Sequence, residues 1–226
     1  MGEQYTFTYT NRIESNRNVL AAMRNGYHLH PTFPKLEKTY TAQLLFPAFN
    51  RRIPDTSRIG YHKILDEFAL PSDADRMDVL RETRGALAWD PYTFEEPLRL
   101  NGSHLRSNFY INGMRHMDVP GNWTDHVQVG DQLRVDLDSD NKVDPFAVSI
   151  KTQDGLQLGY VPGIYAQAVH ALLHQEIDLA LAVTQMHPNF SPQWWVRVEL
   201  SAVIESLSRY EEDSSHLKSI IFRETA

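Results

Sequence analysis

The stretch "DNKVDPFAVSI", Asp140 to Ile150, sets an Asn and an Asp three residues apart between a turn-prone pair and an alternating apolar run. Two chemistries fit it. Asp140 and Asn141 suit a tight turn, and Asp144 before Pro145 is biased toward extended backbone, where its carboxylate can accept from backbone N–H groups as an Asx turn. An ionised carboxylate is also acceptor-only, so a loop presenting Asp144 can select a hydroxyl donor on a ligand. His170 and His174 are the most metal-like pair, because a spacing of four puts two imidazoles on one helical face, as zinc needs. They fall opposite the Tyr165, Ala168, Val169 and Leu172 stripe with no carboxylate at ligand spacing, so the pattern reads as a solvated polar face. In "PQWWVRVEL" a strand would send Trp194 and Trp195 to opposite faces. One then enters the core, and the other is either a stacking platform for single-stranded nucleic acid or is covered by the C-terminal segment.

Common enzyme signatures are missing. The chain has no G-x-x-x-x-G-K-S/T to cradle phosphates, no G-x-G-x-x-G, no G-x-S-x-G elbow and no H-E-x-x-H. Without cysteine it has no disulfide, thiolate zinc site or thiol nucleophile, which suits a reducing compartment. No run approaches the roughly 18 apolar residues of a membrane span, and no apolar core follows the first methionine as a signal peptide requires. The expectation is a cytoplasmic protein that binds rather than catalyses, without cofactor or metal. A metal-dependent hydrolase is the catalytic alternative.

These residues need elements to hold them, and the pattern of elements changes near residue 100. From about Glu14 to Gly85, "NRNVLAAMRNG", "AQLLFPAFNRR", "RIGYHKILDEFAL" and "ADRMDVLRETRG" each carry apolar residues at three and four spacing, which predicts short helices. Ser72 or Asp73 is positioned to cap the last of them and Gly85 to close it. Before them "YTFTYT" alternates as a half-buried strand does. After Leu105 come "NFYINGM", "DQLRVDLD", "FAVSI", "LQLGYV", "DLALAVTQ" and "WWVRVEL", six short strand patterns separated by turn residues and interrupted by one helix, "IYAQAVHALLHQ". Crossover helices between strands are lacking, which predicts a small barrel rather than a parallel sheet. Residues 105–204 hold six basic and eleven acidic groups, a net charge of −5, whereas residues 1–104 hold thirteen of each.

"FYINGMRH" followed by "VQVGDQLRVDLDSDNKVDPFAVSIKTQDGLQLGYVP" resembles the HIRAN domain, with its G-x-R step, "GD" turn, "N-x-x-D-x-x-A" loop and "GYVP" step before a helix. The likeness covers about Leu105 to Ile204. It implies an OB-like barrel of about six strands and a binding role, since in fork-remodelling translocases this domain captures single-stranded DNA at its 3′-hydroxyl end. Carried over by motif, Arg115 and His116 would line the pocket, Asn141 and Asp144 would hold the terminal nucleotide, Tyr160 would stand beside it, and Trp194 would add a further contact. His116 stands where DNA-binding members have a stacking tyrosine, Val143 where they have a second aromatic, and Gly163 where a lysine would meet phosphate. With the −5 charge, these departures reduce stacking and counterion release, the two usual sources of such affinity.

"YTFTYT", "HLHPTFPKLEKTYTAQLLFPAFNRRIPD" and "DVLRETRGALAWD" resemble the small N-terminal subdomain of HipA-type toxin kinases over about residues 5 to 95. No kinase lobe follows. This likeness implies an antitoxin-like regulator or partner of a separate HipA-like kinase chain, and exposed Arg51, Arg52 and Arg58 would suit docking. The expected fold is therefore α+β: a mainly helical domain with a short sheet over 1–100, an OB-like six-stranded β-barrel with one or two helices over 105–204, and a tail over 205–226 that docks or is partly disordered. The expected function is capture of single-stranded DNA 3′ ends by the barrel, with the N-terminal half as a protein-interaction module.

Overall fold

Short helices set between prolines and glycines dominate the first of the two units into which the chain divides, Met1–Glu95 and Glu96–Ala226. The computed structural model describes residues 4–9, 19–86, 92–204 and 221–223. In the first unit β1 (Tyr5–Phe7) pairs antiparallel with β2 (Tyr40–Ala42). Among the described residues four helices accompany them: α1 (Val19–Arg24), α2 (Pro47–Asn50), α3 (Tyr61–Glu67) and α4 (Arg76–Thr83). Pro47 fits the first turn of α2, where its missing N–H costs nothing. The cap of α4 is Asp75, not Ser72 or Asp73. Asp75 accepts from the Asp78 N–H at 2.8 Å while the Asp78 carboxylate accepts from the Asp75 N–H at 3.1 Å, a reciprocal pair that satisfies two otherwise unpartnered donors. Gly85 ends the segment at φ 51°, and a Cβ there would press on Leu80 and Phe94.

Two small cores form in this unit. Ile53, Tyr61, Leu65, Val79 and Leu80 make one, and Phe33, Phe46 and Ala48 the other, with Phe7 stacked on Phe33 at 3.9 Å. Arg52 is not the free docking residue expected. It is half-buried, donates to the carbonyls of Gly85 and Tyr92 at 2.8 and 3.2 Å, and lies over the Tyr92 ring, whereas Arg51 and Arg58 are exposed. A side chain that bonds residues 33 and 40 positions ahead is invisible to a local reading.

The second unit contains β3 (Leu98–Asn101), β4 (His104–Tyr110), β5 (Gln132–Leu137), β6 (Val148–Lys151), β7 (Gln157–Tyr160), α5 (Gly163–His174), β8 (Leu179–Met186), β9 (Val196–Val203) and β10 (Ile221–Arg223). Among the described residues the sheet order is β10-β3-β4-β9-β8-β5-β6-β7. Seven of these strands form a curled antiparallel sheet of the half-barrel kind, and β10 joins the β3 edge in parallel. The six expected strands thus gain β3, which precedes residue 105, and β10. Asn101 pairs with His104 across the two-residue turn Gly102-Ser103, and Gly102 at φ 58° supplies the left-handed first position that such a hairpin needs. Every second residue of β9 from Val196 to Ala202 is buried, the period of a strand with one face on the core. That core takes in residues of β3 to β9 and the Tyr165, Ala168, Val169 and Leu172 stripe of α5. No helix among the described residues is long and apolar enough to cross a membrane.

The tryptophan reading needs correction. Pro192–Trp194 is a 3-10 turn and β9 starts at Val196, so Trp194 and Trp195 are not alternating strand positions. Pro192 presets the φ of that turn. Trp195 stacks on buried Trp123 at 5.2 Å and donates to the Phe190 carbonyl at 2.8 Å. Trp194 is half-buried with its edge against Tyr110 at 5.1 Å. The proposed C-terminal cover falls mainly on residues 205–220, outside the described residues. His170 also departs from the solvated face expected of it. It is half-buried under the perpendicular ring of Phe146 at 5.4 Å, with His174 at 4.7 Å. Burial and the neighbouring His174 hold its pKa below the usual imidazole value, against the pull of Asp144. No group of three or more metal-ligating side chains occurs among the described residues.

Candidate nucleic-acid interface

The loop between β5 and β6 is organised by its own side chains. Asn141 Oδ1 accepts from the N–H groups of Val143 and Asp144, both at 3.0 Å, and Asp144 Oδ1 accepts from the Phe146 N–H at 2.9 Å. Two successive Asx turns result. The Asp138 N–H donates to the Ala147 carbonyl at 3.0 Å and closes the loop at its base. Asn141 and Asp144 are half-buried, while Val143 between them is 95 % exposed. The turn reading of this stretch is therefore realised in the structure. It does not exclude ligand binding, because an ionised carboxylate has about four lone-pair sites.

Asp138 joins this loop to β7. Its Oδ2 accepts from the Tyr160 hydroxyl at 2.9 Å and from Asn141 Nδ2 at 3.3 Å. Tyr160 is itself fixed by a backbone bridge to Asn112, with N–H to O distances of 2.9 Å in both directions. The bridge brings the chain just beyond β4 onto the end of β7. It depends on a bare backbone, since a Cβ on Gly159 would collide with the Asn112 carbonyl and Ile111. Gly113, next along, takes φ 78° and opens a 3-10 turn, Met114–His116. Met114 anchors this turn in the core at 1 % exposure, which leaves Arg115 and His116 outside. Arg115 Nε donates to His116 Nε2 at 2.8 Å. The turn packs beside both β7 and the Pro192–Trp194 turn.

Arg115, His116, Tyr160 and Trp194 thus sit on neighbouring elements, and Asn141 is tied to Tyr160 through Asp138. Asp144 belongs to the same loop on the side that faces His170. The residue that sequence reasoning missed is Asp138, whose contact with Tyr160 spans 22 positions and leaves no local signal. Positive charge is sparse. Arg134 and Lys151 are both paired with Asp136, at 3.4 and 3.1 Å, and Arg197 with Glu96 at 3.6 Å.

A cavity of about 370 Å³ lies elsewhere in the unit, lined by His126, Asp131, Gln132, Leu133, Thr152, Gln153 and Asp154, and includes none of the expected site residues. There the Thr152 hydroxyl and then His126 Nδ1, at 3.0 Å, hold the Asp154 carboxyl down to about 2. Asp154 stands between hydroxyl and imidazole, which is not the order in which an imidazole would activate a hydroxyl nucleophile.

Residues 105–206 match the family model of the HIRAN domain. Those residues lie outside the span of about 5 to 95 that resembles the HipA-type subdomain, so that resemblance gains no support from the match. No curated protein matches the chain significantly. Three solved structures are similar to parts of it. A crystal structure of a protein from Lactobacillus plantarum is 22% identical, covering 43% of this chain and 91% of that one with a TM-score of 0.39. The crystal structure of the HIRAN domain of human HLTF is 15% identical, covering 58% and 98% with a TM-score of 0.41. The NMR structure of the HLTF HIRAN domain in its DNA-bound conformation is 14% identical, covering 52% and 88% with a TM-score of 0.36.

Proposed function

We propose, with residues 105–206 forming a HIRAN domain, that this chain is a non-catalytic nucleic-acid-binding protein whose C-terminal unit takes single-stranded DNA at a 3′-hydroxyl end. The observation that carries the reading is the continuous tie from the Arg115 turn through Asn112, Tyr160 and Asp138 to the Asn141–Asp144 loop. In this reading Asp144 accepts from the terminal hydroxyl, and Arg115 offers its outer donors to the adjoining phosphate in a charged fork. Asn141 shapes the loop, while Tyr160, His116 and Trp194 border the nucleotide. With an acidic unit and few unpaired cations, affinity is modest and depends on Arg115 more than on a basic surface. The N-terminal unit serves as a protein-interaction module, where Leu44, Ile59, Arg51 and Arg58 are each exposed.

Fluorescence anisotropy of the full chain with short single strands tests this. A 3′-hydroxyl end binds more tightly than a 3′-phosphate end, which sets negative charge against Asp144 and removes the donor. Equal binding of the two ends, or no binding at about 50 mM salt where electrostatics remain favourable, removes the reading.

A further inference from the structure

We infer that Asp138 is the positioning residue of end recognition, the acceptor that holds the Asp144 loop in register with the turn bearing Arg115. This rests on the end-binding reading above and assigns a role to a side chain outside the expected site. One oxygen, Oδ2, takes donors from two different segments, the Tyr160 hydroxyl and Asn141 Nδ2. Each bond fixes one side of the interface. With its amide nitrogen on Asp138, Asn141 must direct Oδ1 toward the Val143 and Asp144 N–H groups, and a flipped amide would put donors against donors. Asp138 therefore sets the amide orientation that starts the turn at Asp144. On the other side, Tyr160 is locked by its backbone to Asn112, the residue before the Gly113 that opens the Arg115 turn. Two groups read as ligand contacts, a carboxylate and a guanidinium on different elements, are thus connected through a single acceptor.

A carboxylate suits this position because both partners must donate, and an acceptor-only group offers no competing donor. Its charge works against DNA binding, which separates the two roles it could have. If Asp138 acted only as a negative charge near the strand, Asp138→Ala would tighten binding to every end. If it positions the loop, the same change lowers the preference for hydroxyl over phosphate ends.

The experiment measures the ratio of affinities for 3′-hydroxyl and 3′-phosphate strands in the full chain, together with hydrogen exchange of the Val143 and Asp144 amides without DNA. Asp138→Ala lowers the ratio about threefold or more, the scale expected when a charge-assisted contact is loosened rather than deleted. Tyr160→Phe, which keeps the Asn141 bond, lowers it less, and the double variant goes little further than Asp138→Ala, in which the Tyr160 bond is already lost. Asp138→Asn keeps a carbonyl oxygen for the Tyr160 hydroxyl and retains more of the ratio than Asp138→Ala. In the unliganded protein Asp138→Ala speeds exchange of the Val143 and Asp144 amides while β9 amides keep their protection. Unchanged loop exchange overturns the positioning role whatever the binding data. A variant ratio equal to the wild-type ratio overturns its part in recognition. A wild type with no end preference, but with loop exchange that still depends on Asp138, overturns the end-binding reading and reduces Asp138 to a structural tie.

Discussion

The N-terminal unit and the C-terminal sheet hold their backbones by different means. Among the described residues of the C-terminal unit, 24 buried apolar side chains of the sheet, α5 and the connecting turns form one continuous core, and hydrogen bonding runs along the strand ladders. The N-terminal unit has cores of five and three buried residues and uses guanidinium groups between its short segments. Arg76 donates to Asn50 Oδ1 at 2.9 Å and to the carbonyls of Pro54, Asn50 and Ile53 at 2.5, 3.1 and 3.3 Å. Arg84 pairs with Glu95, and Arg52 holds Gly85 and Tyr92. Segments of four to eight residues bury too little apolar surface to fix their ends, so side-chain donors take over carbonyls that no ladder reaches. Arginines in a small helical unit are thus poor indicators of a binding surface, because some of them are internal fasteners.

The sharpest test of this contrast is one deletion in each unit. Leu158→Ala empties a fully buried position in the sheet core and costs about 2–5 kcal/mol, read as faster hydrogen exchange across the C-terminal unit. Arg76→Ala leaves several carbonyls without their donor and costs about 2–3 kcal/mol, with faster exchange confined to the N-terminal unit. Arg76→Lys does not restore it, since an ammonium cannot span acceptors on three residues as a planar guanidinium does. Exchange that rises equally in both units for either variant would show that the two are not held separately.

Within the C-terminal unit the contrast is between core and loop. Asp144→Ala weakens binding of hydroxyl-ended strands about tenfold, since a hydrogen bond to a charged group contributes about 1.5–3 kcal/mol, and changes binding of internal strand little. A lower melting temperature with unaltered affinity would leave the loop as a turn alone.

The smallest effect concerns the link between His126 and Asp154. The Thr152 hydroxyl and then His126 hold the Asp154 carboxyl down to about 2, below the usual carboxylate range, so the contribution is present above about pH 4 and is lost as pH falls toward 2. Because Asp154 is well exposed, the stabilisation is small and screened by salt. Asp154→Asn should remove that part of the acid dependence. Comparison of melting temperatures for wild type and variant between about pH 5 and 2 reads it, with the two curves converging at the acid end.

Local interactions were legible in the sequence, and distant ones were not. The Asx turn at Asp144, the strand alternation of "VRVEL" within the expected "WWVRVEL" and the apolar stripe of α5 each depend on residues within a few positions of one another. The order of motifs over residues 105–206 can also be read along the chain, because it needs no spatial contact. Short β3 was missed because four residues give a period-two pattern little room. The cap of α4 was misplaced because the first turn offers several polar residues, and only the reciprocal bonds of Asp75 and Asp78 select one.

By itself the sequence determined the strand-rich second half, its acidic charge and the loop that presents Asn141 and Asp144, because side-chain period, net charge and turn chemistry are local properties of the chain. Tertiary structure decided the rest. Only folding brings Asp138 to Tyr160, Trp195 to Trp123 and Arg76 to the carbonyls of Asn50, Ile53 and Pro54. These contacts join residues more than 20 positions apart, and their partners are selected by sheet register and core packing, which no short window of sequence contains.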